Sequence, residues 1–157
     1  MKRVRFAGDT CPIARSLDEI GDWWTLLIVR NALAGTRRFS EFQQQLGISK
    51  NILTARLEKL VEAGVFEMRP DPAGSRHREY HLTDKGMRLR MILLALRQWG
   101  EDELFDNGEE MTILADRRDG KPLGKLQIRS HDGRALEEAD TLLTVGKKAA
   151  MADTRTG

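Results

Sequence analysis

Apolar positions fall in blocks along this chain, and their spacing changes from helical to alternating and back. Trp23 to Ala34 (Trp-Trp-Thr-Leu-Leu-Ile-Val-Arg-Asn-Ala-Leu-Ala) is so uniformly apolar that it predicts a buried central helix, ended by Gly35. Upstream, Pro12 to Ile20 predicts a short helix with Pro12 in its first turn, where a missing N–H costs little, and Gly21-Asp22 breaks it. Ser40 is expected to N-cap a helix from Glu41 to Leu46, with Phe39 and Phe42 facing inward and Gly47 closing it. Ser49 caps the next helix, where Leu53, Leu57, Leu60 and Val61 recur at i, i+4, i+7 and i+8 on one stripe.

After Ala63-Gly64 the period becomes two. Val65-Phe66-Glu67-Met68-Arg69 alternates as a half-buried strand, Pro70 to Ser75 is a turn or loop, and Arg76 to Leu82 returns with Tyr80 and Leu82 on one side. A hairpin directly after a capped amphipathic helix is the order of a winged helix-turn-helix. Thr83-Asp84 then opens a long helix to about Leu104, whose apolar positions Met87, Leu89, Ile92, Leu93, Leu96 and Trp99 exceed what one small core can cover. The surplus, together with the helix at Pro12, predicts a two-fold dimer interface that includes Pro12, Leu93, Leu96 and Trp99.

Beyond Asp106 the character changes. Met111–Ala115, Leu123–Ile128 and Thr141–Val145 read as short strands, with Asp119-Gly120 and Asp132-Gly133 as turns. The pieces Asp-Gly-Lys-Pro-Leu and Asp-Gly-Arg-Ala-Leu recur thirteen residues apart. The expected architecture is α+β: a winged helix-turn-helix domain with dimerisation helices over 11–105, a small antiparallel β extension over 106–146, and a disordered tail over 147–157.

Composition narrows the class. The 157 residues, 40% apolar, suffice for one domain with an appendage. No segment approaches the ~18 apolar residues of a membrane span, so a cytoplasmic protein is expected. The lone Cys11 excludes an intrachain disulfide framework. The net charge of +2 says little, but its distribution says more: Arg37 to Arg90 carries eleven Lys/Arg against seven Asp/Glu, whereas Asp106 to Gly157 carries nine against ten. Positive charge gathers where the helix-turn-helix lies.

That placement gives the polar side chains a chemistry. On the helix after Ser49, Lys50, Asn51, Thr54 and Arg56 lie mainly off the apolar stripe: Arg suits guanine O6/N7, Asn suits adenine N6/N7, and Lys and Thr suit phosphate oxygens. Arg38 and Ser49 flank the two helices, and Arg76 and Arg78 stand near the wing tip, placed for phosphate or minor-groove contact. The expected partner is double-stranded DNA carrying a pseudo-palindromic operator. No Gly-rich phosphate loop or nucleophile motif occurs, and His77, His81 and His131 lack metal-ligand spacing apart from the His77/His81 pair on a wing strand, so neither catalysis nor a cofactor or metal is expected.

Successive motifs also carry a resemblance. Cys11-Pro12-Ile13, Ile20-Gly21-Asp22-Trp23-Trp24-Thr25-Leu26-Leu27-Ile28, Arg37-Arg38-Phe39-Ser40-Glu41-Phe42, Ile48 to Leu57, Glu79-Tyr80-His81-Leu82-Thr83 and Gln98-Trp99-Gly100 resemble those of the HxlR-type regulators, in order, over about two thirds of the chain. The resemblance implies a bacterial, homodimeric, winged-helix regulator, related in architecture to MarR regulators, acting at operators as repressor or activator. It implies groove-facing roles for Lys50, Asn51, Thr54 and Arg56 and a wing role for Arg76. Trp23 departs from the family's usual lysine or arginine before the tryptophan. Several members sense oxidants or electrophiles through a cysteine in the Cys-Pro motif, which makes Cys11 the redox-sensing candidate and an electrophile or small molecule the implied effector. A thiolate ahead of a helix is electrostatically favoured, and without a second cysteine oxidation yields an intersubunit disulfide, a mixed disulfide or a sulfenate. The alternative reading is a winged helix used as a protein-interaction module without operator binding.

Overall fold

The computed structural model describes residues 6, 8–72, 74 and 77–147. Arg76 and the tail over 148–157 lie outside them. The chain forms two compact units, Met1–Glu109 and Glu110–Gly157.

The first unit is helical with one hairpin: α1 Pro12–Ile20, α2 Trp23–Leu33, α3 Phe39–Leu46, α4 Lys50–Glu62, β1 Phe66–Pro70, β2 Arg78–Leu82, α5 Asp84–Met87 and α6 Leu89–Glu103. Helix α2 is the hub, and Ile28, Val29 and Ala32 lie fully buried on it. Around it pack Phe42 and Ile48, then Leu53, Leu57 and Leu60 from α4, then Val65 and Phe66 at the start of the wing. Phe42, Phe66 and Tyr80 meet edge to face, with ring centroids 6.3 to 6.5 Å apart, which joins α3 to both wing strands. The strands are antiparallel, Phe66 facing Leu82 and Pro70 facing Arg78. This is an α+β winged helix-turn-helix.

Local chemistry sets the boundaries. Asp22 caps α2 by accepting from Thr25 N at 3.1 Å, and Ser49 Oγ accepts from Ile52 N at 3.4 Å at the start of α4. Gly47, at φ +59, makes the left-handed turn between α3 and α4. Helix α3 begins two residues before the expected start, with Arg38 rather than Ser40 at the N-cap. The reason is Glu41, whose Oε2 accepts from the backbone N–H groups of Arg37 at 3.2 Å and Arg38 at 3.1 Å, so no hydroxyl cap is required. The long C-terminal helix is interrupted at Arg88. Thr83 caps the first piece through Gly86 N, and Lys85 Nζ reaches back 2.7 Å to Ala63 O at the end of α4. Gly86 sits so close to Val65 O that an added Cβ would lie 2.2 Å from it, so the position takes only hydrogen.

The Glu41 carboxylate titrates below the ordinary glutamate range, because the backbone N–H groups of Arg38 and then Arg37 stabilise its charged form. A depressed folded-state pKa stabilises above the unfolded value and is lost as pH falls through the folded one. Stability should therefore decline below about pH 4.3 partly through this group. Glu41→Gln, which keeps an oxygen acceptor but cannot titrate, should show a shallower acid limb in thermal melts; an identical limb would exclude the role.

In the second unit the expected strands do not form. Among the described residues of this unit, pairing is confined to isolated antiparallel bridges, Ala115 with Pro122 and Arg129 with Ala135, besides one 3₁₀ turn at Glu138–Asp140. The turns do occur where expected, at Gly120 (φ +71) and Gly133 (φ +88), and the two Asp-Gly repeats are thus two hairpin tips. Each tip lacks a third strand, and none of the described residues of this unit is buried, so nothing extends the ladders.

Candidate nucleic-acid interface

Helix α4 turns Leu53, Leu57 and Leu60 into the core and leaves Lys50, Asn51 and Ala55 exposed, with Thr54 half-buried beside them. Lys50, Asn51 and Thr54 are spaced i, i+1 and i+4 and share one side. Ile52 is also exposed, at 42%, but at about 100° per residue it stands about 160° from Lys50 and Thr54 and about 40° from Arg56. Ala55, which the sequence reading did not select, is an apolar group of the kind that meets thymine methyls; its exposure beside a buried leucine stripe was a readable signal. Ser49 lies at the leading end of this face, its hydroxyl committed to the cap.

Arg56 is placed differently from Lys50, Asn51 and Thr54. Its Nε lies 2.9 Å from Asp22 Oδ1, an ion pair without hydrogen-bond alignment, with side-chain exposures of 30% and 17%, so its charge is paired within the chain. Lys59, one turn along, donates to Asp18 O at 2.6 Å.

Arg38 braces the loop end of the wing. Its Nη2 lies 3.0 Å from Asp71 Oδ2 and its Nε 3.6 Å from Glu79 Oε1, while Glu79 Oε2 contacts His81 Nε2 at 3.0 Å. The Asp71 side chain is buried, whereas that of Arg38 stays 46% exposed, so the arginine spans an internal carboxylate and the surface. A backbone bond from Tyr80 N to Arg37 O at 2.8 Å fastens strand β2 to the entry of α3. Arg78 is exposed opposite Pro70. Tyr80, on the same side of β2, titrates above the ordinary tyrosine value through burial and the nearby negative charge of Glu58.

The other assigned residues lie on α1 and α6. Cys11 is exposed at the N-cap of α1, its N–H donating to Asp9 Oδ1 at 2.8 Å. Pro12 is exposed, and so are Leu96 (49%) and Trp99 (57%). Leu93 instead packs against the core of its own subunit. Among the described residues no group of three or more His, Cys, Asp or Glu could hold a metal ion, and no helix is long and apolar enough to cross a membrane.

Known proteins share this arrangement. The family model for the HxlR-like helix-turn-helix matches residues 19–107. The chain is 40% identical over 100 residues to the uncharacterized HTH-type transcriptional regulator Rv3095 of Mycobacterium tuberculosis, a match covering 64% of this chain and 62% of that protein. The chain thus spans less than two thirds of the length of that relative. The crystal structure of PA1607, described as a candidate transcription factor, superposes with a TM-score of 0.85 at 49% identity, covering 90% of this chain and 99% of the other. The redox regulator HypR in its oxidized form superposes with a TM-score of 0.52 at 30% identity, covering 61% of this chain and all of that one. With a helix-turn-helix of this geometry and a family match over more than half its length, the chain belongs to the HxlR-like helix-turn-helix family of transcriptional regulators.

Proposed function

We propose that the protein is a homodimeric, sequence-specific operator binder acting as a cytoplasmic repressor, with α4 in the major groove of double-stranded DNA. The observation that carries this reading is the division of α4: Leu53, Leu57 and Leu60 are seated in the core, while Asn51, Thr54 and Ala55, with Lys50 in the first turn, form an accessible arc beside them. In this reading Asn51 and Thr54 meet base edges and Lys50 a phosphate, while Arg38 and Arg78, with Arg76 beyond the described residues, follow the backbone along the wing. Ser49 brings the N-terminus of α4 towards a phosphate. Two such helices, related by a dimer axis, would read half-sites about one turn apart. Repression follows from occupancy, since a dimer seated over a promoter excludes other proteins from it.

The test is fluorescence anisotropy of the purified protein on its own upstream DNA, with competitor, over a range of salt. A dimer making roughly six to ten phosphate contacts should lose about 10³- to 10⁵-fold in affinity between 50 and 200 mM salt. Lys50→Ala should reduce the salt slope by about one. Absence of specific, salt-dependent binding would favour the protein-interaction reading. A diamide arm addresses the effector: HypR is a redox regulator by name, and Cys11 is exposed on the helix that carries part of the apolar face. Release by diamide, reversed by thiol and absent in Cys11→Ser, supports the cysteine as input; release that persists in Cys11→Ser excludes it.

A further inference from the structure

We infer that Arg56 serves DNA recognition as a positioning residue, clamped by Asp22, and that the α1–α2 corner thereby sets the attitude of the recognition helix. The inference rests on the operator-binding reading and changes the part Arg56 plays in it.

Three observations converge on this clamp. The first is angular. At about 100° per residue, Arg56 stands about 120° to 160° around α4 from Lys50, Asn51 and Thr54, yet only about 40° to 60° from Leu53 and Leu60. It occupies the flank of the buried stripe, on the same side as Lys59. The second is that its partner is immobilised before the two meet. Asp22 Oδ1 accepts from Thr25 N at 3.1 Å and Asp22 Oδ2 from the Thr25 hydroxyl, and Thr25 is wholly buried. The carboxylate that stands 2.9 Å from Arg56 Nε, attracting it by charge and not by an aligned hydrogen bond, is therefore part of the N-terminal turn of α2. The third is a second attachment beside it: Lys59 Nζ donates to Asp18 O at 2.6 Å, in the last turn of α1. Two neighbouring points on the corner thus hold two points one turn apart on α4. The leucines fix how deeply the helix sits, and the polar clamp restrains its roll, which decides where Lys50, Asn51 and Thr54 point.

The experiment is a double-mutant cycle on the full chain with Asp22→Asn and Arg56→Met, read on operator affinity across salt. Asparagine keeps an oxygen for capping α2 while removing the charge. Each single variant should bind about tenfold more weakly with an unchanged salt slope, and the double variant no more weakly than either alone. If Arg56 touches DNA, Arg56→Met will lower the salt slope by about one and Asp22→Asn will not weaken binding; that pattern overturns the inference. Amide hydrogen exchange of the DNA-free protein supplies a readout independent of the operator. Exchange in α4 should quicken about tenfold in Asp22→Asn, and equal rates in Asp22→Asn and the parent would also overturn the clamp. A parent protein with no specific binding would remove the operator reading while leaving the exchange test standing.

Discussion

Leu96→Glu is expected to yield a folded monomer that binds a two-half-site operator at least about 100-fold more weakly than the parent, because joining two recognition helices in one particle raises affinity by about 10²- to 10⁴-fold. Helix α6 divides its apolar residues between two directions. Leu89 and Leu93 pack on the core, whereas Ile92 (44%), Leu96 (49%) and Trp99 (57%) recur at i, i+4 and i+7 on an exposed side. Helix α1 adds Ile13 and Leu17 at i and i+4, exposed at 70% and 52%. Such a display of large apolar side chains marks an association surface. A glutamate at position 96 stands in water in the monomer and costs little there, but an interface would bury its charge without a partner, a penalty of several kcal/mol. Sedimentation velocity, thermal melting and operator binding should be measured together. A dimer of unchanged affinity would move the interface elsewhere.

Phe42→Ala should cost about 3 to 5 kcal/mol. The ring is fully buried and meets Phe66 and Tyr80 at centroid distances of 6.4 and 6.5 Å. Its removal leaves a cavity where α3, β1 and β2 converge and deletes two edge-to-face contacts as well as the transfer energy of the side chain. At about 4 to 8 °C per kcal/mol for a domain of this size, the melting temperature should fall by roughly 12 °C or more. The wing should loosen from α3 at the same time, quickening amide exchange in β2. A loss under about 1 kcal/mol would mean that the three-ring cluster collapses onto the gap without penalty.

The helices were legible in the sequence because their determinants are local. Ser49 and the leucine spacing define α4, and Pro12 and the Gly21 break define α1. Structure adds to the sequence where a distant or unexpected partner decides. Ser40 looked like the cap of α3 on residue type, but the Glu41 carboxylate supplies the acceptors instead. Arg56 lies off the leucine stripe, as Lys50, Asn51 and Thr54 do, but off the stripe includes its flank, and the helical angle sets Arg56 about 120° to 160° from the other three. Its actual partner, Asp22, belongs to another helix and only the fold brings them together. Leu93 was assigned outward by counting surplus apolar positions, whereas direction around α6 sends it inward. In the second unit the Asp-Gly turns were readable, but strand extension requires a neighbouring strand or a covered face, neither of which periodicity encodes.

The placement of the tryptophans has an optical consequence. Trp23 at the start of α2 is 69% exposed and Trp99, on α6 with Leu96, is 57% exposed, while Trp24 is half-buried with its ring centroid 4.9 Å from that of Trp23. Indoles leaving water on association would shift their emission to the blue, and the tilted pair would alter the near-ultraviolet circular dichroism. If copies associate through the exposed side of α6, Trp99 leaves water together with Leu96, and a dilution series followed by intrinsic fluorescence would report that association without an attached label.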